Sequence, residues 1–134
     1  MPWPQCADRR RLQRGSAVVD FVLVMLILVP LVLGLIQLGL VLHVRNTLVA
    51  AASEGSRYGA NIDRGPEQAV ARTRQQISGA LAGRFAEQVT ARAQMVDGVP
   101  MMVVTVAASV PPLGLWGPGV HLQATGHAVQ EQVP

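Results

Sequence analysis

The sequence predicts an α+β fold: a long N-terminal transmembrane helix, a second shorter helix and a small antiparallel sheet. Three observations carry that expectation. Residues 21–42 form one uncharged apolar block. Residues 66–81 place apolar side chains at helical spacing, and residues 87–130 hold β-like segments separated by turn chemistry. The 134 residues then divide into a basic leader (1–15), a transmembrane helix with its extension (16–60) and a small α+β domain (61–134).

The block reads FVLVMLILVPLVLGLIQLGLVL, with Gln37 its only strongly polar residue. As a helix it is about 33 Å long at 1.5 Å per residue, enough to cross a hydrocarbon core of about 30 Å. A core helix of a soluble protein is not normally apolar on every side. Pro30 sits at mid-block, where a membrane helix tolerates a kink, and Gly34 and Gly39 thin the helix beyond it. The chain is 50% hydrophobic, and much of that weight is this block, so the remainder is an ordinary polar domain.

Arg9, Arg10, Arg11 and Arg14 precede the block and Arg45 follows it. By the positive-inside rule the N-terminus is cytoplasmic and the C-terminal domain extracytoplasmic. The net charge of +3 is concentrated in that cluster, and aromatics are only 4%, so nothing points to nucleic acid. A secretory signal has an apolar region of about 7–15 residues, shorter than this one. Its cleavage candidate would be Ala50-Ala51-Ala52, which lies beyond His43 and Arg45.

Just before the span stands RGSAVVDFVLV: basic leader, Gly15, Ser16, then Asp20 inside the apolar entrance. Just after it stands LHVRNTLVAAASEGSRYGA. Together these stretches resemble the TadE-like family, pseudopilins of the tight-adherence (Flp-type) pilus system. The resemblance implies a pilin-like fold and a non-enzymatic, minor structural or assembly role in that pilus or a related type II/IV secretion apparatus. It implies cleavage by a prepilin peptidase between Gly15 and Ser16, removing the leader and leaving the helix. It also implies other pilin-like subunits and pilus assembly proteins as partners. The acidic residue of that pattern is usually Glu; here it is Asp20.

Asp20 has a physical reading beside that resemblance. A charge at a helix centre costs roughly 2.5–3.5 kcal/mol on insertion scales, and less near the edge. After cleavage Ser16 would carry a free amine at i, i+4 spacing from the carboxylate, which also lies near the positive helix N-terminus. In an assembly the carboxylate would instead neutralise a neighbour's amine and set register. The alternative is a hydrated interfacial Asp.

Beyond the span the helix is expected to continue over residues 44–58, favoured by Ala50, Ala51 and Ala52. Ala51, Gly55 and Gly59 fall at i, i+4, i+8, with Ala52, Ser56 and Ala60 beside them. Small rows let helices approach closely. Their partner is either another pilin-like subunit or the protein's own domain. Gly59 is a plausible terminator, residues 61–66 read as a turn, and Pro66 suits the first position of the second helix. Ala69, Ile77, Ala80 and Leu81 give that helix a weak apolar face, with Val70 next to it.

Residues 89–96 partly alternate, Asp97-Gly98 is a hairpin dipeptide, and residues 101–110 (MMVVTVAASV) are the clearest strand. Pro111-Pro112 ends it, residues 113–119 (LGLWGPG) are an apolar loop, and residues 122–130 are a third strand. The loop is either a contact site or a cap that folds back over the core.

No catalytic arrangement is legible, and no cofactor is implied. His43, His121 and His127 lack nearby Cys or carboxylate partners, so they make a poor metal set. The single cysteine, Cys6, forms no metal spacing and cannot staple the domain. The competing function is an unprocessed single-pass anchor with a small extracytoplasmic binding domain.

Overall fold

The computed structural model describes residues 8–112 and 119–132. The elements are helix α1 (Asp8–Gly59), helix α2 (Pro66–Ala80), a short 3-10 turn (Gly83–Ala86), and strands β1 (Gln88–Val96), β2 (Val99–Val110) and β3 (Val120–Val129). The strands form one antiparallel sheet in the order β1-β2-β3. The chain is therefore α+β, with a long apolar N-terminal helix, a shorter second helix and a three-stranded antiparallel sheet.

The chain divides into two compact units, Met1–Leu38 and Gly39–Pro134. In the first, α1 is apolar and unburied; Ile27, for example, is 72% exposed. This helix is long and apolar enough to cross a membrane. Pro30 lies inside it and has no N–H to offer the Leu26 carbonyl.

In the second unit, the later turns of α1 join α2 on one face of the sheet. Val44, Leu48, Ala51 and Ala52 of α1 are buried with Ala69 and Ile77 of α2, Phe85, and Val89, Met102, Val104, Val106 and Ala124 of the strands. The even-numbered residues of β2 face this core, as the period-2 pattern requires. On the other face the register sets Arg92 and His127 on either side of Val103, which is itself buried.

Local chemistry accounts for the boundaries. Pro66 opens α2, and Gln68 Oε1 accepts a hydrogen bond from Gly65 N at 3.0 Å. Helix α2 buries Ala69, Thr73 and Ile77, one stripe at four-residue spacing. Thr73 was not expected in that stripe; its hydroxyl can be buried because it donates to the Ala69 carbonyl at 2.8 Å. Ala80, expected on the apolar face, is exposed on the rim of a groove that it shares with His43. Asp97 and Gly98 both have positive φ, 52° and 80°, as a two-residue hairpin turn between Val96 and Val99 demands.

Strand bounds run slightly outside the expected ones: β1 starts at Gln88, β2 at Val99 and β3 at Val120. Pairing carries them outward, since Val96 opposes Val99 and Val110 opposes Val120. The apolar residues 113–118, expected as a loop, lie outside the described residues.

Candidate functional site

Gly15, Ser16 and Asp20 all lie within α1 and are exposed. No heavy atom comes within 4 Å of where a Cβ at Gly15 would stand. The helical spacing sets Ser16 and Asp20 one turn apart on the same side. Among the described residues, Asp20 makes no ion pair. All three residues are thus open to a partner, with Ser16 and Asp20 on the same side of the helix.

The segment after the span is packed inward. A Cβ at Gly55 would overlap Thr73 Oγ1 and stand 3.0 Å from the Ala69 carbonyl oxygen. A Cβ at Gly59 would stand 2.5 Å from Ala69 Cβ. The row Ala51, Gly55, Gly59 therefore turns towards the protein's own core, with both glycines directly beneath α2. The adjacent row is also inward: Ala52, Ser56 and Ala60 are buried, and the Ser56 hydroxyl donates to the Ser53 carbonyl at 2.8 Å.

The remaining residues of that segment hold α2 from the side. Glu54 pairs with Arg72 at 3.4 Å, both partly exposed, so the pair contributes below about 1 kcal/mol. Tyr58 carries the Arg64 guanidinium 3.7 Å above its ring centre, with Arg72 at 5.6 Å. Arg57 is exposed, in a groove of about 340 Å³ shared with His127 and Glu131. Sequence reasoning did not single out Tyr58, Arg64 or Arg72 as a group; their ring-and-guanidinium composition around one turn was the available signal.

His121 and His127 lie on β3 with exposed side chains on the same face of the sheet. Among the described residues, no three His, Cys, Asp or Glu side chains are grouped to hold a metal ion. An open groove between α1 and α2 is lined by mixed polar and small residues, such as His43, Asn46, Thr47 and Gln76.

Residues 15–57 match the profile of the TadE-like protein family. The match starts at Gly15, crosses the apolar span and ends in the segment folded against α2. No curated protein and no solved structure matches the chain. Residues 15–57 are thus similar to the TadE-like family, in agreement with the resemblance carried by the leader motif and the post-span segment.

Proposed function

We propose that the chain is a pseudopilin-type subunit of a tight-adherence pilus or a related secretion apparatus, with no catalytic role of its own. It sits in the cell membrane with its N-terminus cytoplasmic and its domain extracytoplasmic. A prepilin peptidase cuts between Gly15 and Ser16, and the new Ser16 amine and Asp20 act together in assembly with other pilin-like subunits. The observation that carries this reading is the family match over residues 15–57, joined to an exposed Gly15–Ser16 step one turn before Asp20, which makes no ion pair among the described residues. The arginine cluster before the span supports the orientation.

The test is the N-terminal sequence of the membrane-bound protein, made with and without a co-expressed prepilin peptidase. A start at Ser16 only when the peptidase is present is the expected result. A start at Met1 in both samples would remove the processing claim.

A second reading, the unprocessed single-pass anchor, is favoured by one observation. Gly15 and Ser16 lie inside a continuous helix, a conformation in which a peptide bond is poorly presented for cleavage. The same sequencing experiment separates the two.

A further inference from the structure

The last residues of the apolar block lie inside the Gly39–Pro134 unit. Leu42 is still 48% exposed, whereas Leu40 and Val41 already pack against the domain core and Val44 is buried within it. The part of that unit level with Leu42, where the apolar block ends, is then the part nearest the lipid.

Two independent paths identify that part. Along the sheet, Gly126 lies on the backbone of Ala52 and Ser53, and Glu131 N donates to the Ala60 carbonyl at 2.9 Å. Five residues of this strand segment thus keep pace with eight residues of α1. Six residues further back, β3 starts at Val120, which corresponds to about thirteen helical residues below Ala52, or Gly39, at roughly 3.3 and 1.5 Å per residue, so the start of β3 reaches the last turn of the apolar block. Along the helices, α2 runs antiparallel to α1: Ala69 meets Gly59, Thr73 meets Gly55, and Ala80 shares a groove with His43. The 3-10 turn follows α2 at once and brings Arg84 into a cleft with Ser109, Pro111, Pro112 and Gly119. Both paths end at the same edge of the domain.

The chemistry of that edge suits a lipid surface. Arg84, Pro111, Pro112 and Val120 are exposed there, with Arg45 exposed on α1 one turn beyond Leu42. His43, His121 and Glu87 are also exposed. Basic residues at such a level are attracted by anionic headgroups.

We propose that this edge, Arg84, Pro111, Pro112 and Val120 with Arg45 beside them, rests on the anionic phospholipid surface from which α1 emerges. The contact rests on the reading of α1 as a membrane span. It gives the domain a fixed seat, so that leaving the bilayer means breaking headgroup contacts as well as extracting the helix.

The test uses the full chain in a Cys6→Ser background, reconstituted in phosphatidylcholine vesicles with and without phosphatidylglycerol. An environment-sensitive fluorophore is placed at Val120→Cys or, at the opposite end of the sheet, at Met95→Cys; both positions are exposed. Headgroup-spin-labelled lipid should quench the label at 120 and not the label at 95, and phosphatidylglycerol should strengthen that quenching. Arg84→Gln should weaken the response to phosphatidylglycerol about fivefold. Equal quenching at both positions, or an Arg84→Gln variant that responds to phosphatidylglycerol like the parent, overturns the proposal. Release of the chain by alkaline carbonate would instead overturn the membrane-span reading, and the seat with it.

Discussion

Gly126 of β3 lies against the backbone of Ala52 in α1, with no room for a side chain between them. That contact seats β3 directly on α1, the helix long and apolar enough to cross a membrane. It requires the absence of a Cβ rather than an unusual backbone angle, because Gly98 is the glycine of the described residues with positive φ.

Gly126→Ala should therefore destabilise the domain, by about 1–3 kcal/mol for an overpacked contact. Gly79→Ala is the matched comparison. It sits on the exposed side of α2 with open space around it, and should stabilise by roughly 0.5–1 kcal/mol through helix propensity. Thermal melting of the full chain in detergent would read both. A neutral Gly126→Ala would show that the strand can lift from α1 without cost.

The α1–α2 contact makes a second prediction. Gly55→Ala should destabilise because its methyl group overlaps Thr73 Oγ1. Gly55→Ala with Thr73→Ala should recover part of that loss, since the hydroxyl is removed while the Ala69 carbonyl stays close. A double-mutant cycle measures the coupling, expected within about 0.5–3 kcal/mol for residues in contact. Additive losses would mean that the helices already separate in solution.

These two contacts mark the boundary of what was legible in the sequence. The apolar block, the Asp97-Gly98 turn, the MMVVTVAASV strand and the Pro66 helix start each announce a local preference. Local preference was sufficient for the element order and fold class. The small row at residues 51, 55 and 59 has the right spacing for any close helix, so its periodicity could not name the partner; only the return of the chain as α2 does. Gly126 looked like an ordinary strand residue because its constraint comes from a helix more than seventy residues away. Thr73 was passed over because polarity hides a buried hydroxyl that bonds its own helix. The Gly83–Ala86 turn is set by closure onto the core through Phe85, which no periodic pattern marks.

Tyr58 gives a third prediction. Its ring is stacked by Arg64 at 3.7 Å across the turn between the helices. Tyr58→Phe keeps the ring and should be nearly neutral. Tyr58→Leu keeps much of the apolar area but loses the ring, and should cost about 0.5–1 kcal/mol. Chemical denaturation separates them; equal stability of the two variants would remove the stacking from the account.

The last prediction concerns Asp20, and it links the helix start to assembly. Asp20 is exposed on α1 one turn after Ser16 and makes no ion pair among the described residues. Removing it should therefore leave the fold of the Gly39–Pro134 unit unchanged. Asp20→Ala also removes an insertion cost, which on translocon scales is at most about 3 kcal/mol and smaller near the edge. The variant should enter the membrane at least as well as the parent. If the carboxylate pairs with a subunit amine, assembly should fail nonetheless. Asp20→Glu should restore it, because the charge is kept and only the reach grows. Cross-linking of the full chain in membranes, together with the N-terminal sequence of each variant, distinguishes three outcomes. Lost cross-links with a normal start at Ser16 assign Asp20 to assembly. A start at Met1 assigns it to recognition by the peptidase. Normal cross-links and a normal start would leave Asp20 as a hydrated residue at the membrane edge, and the pairing would have to be abandoned.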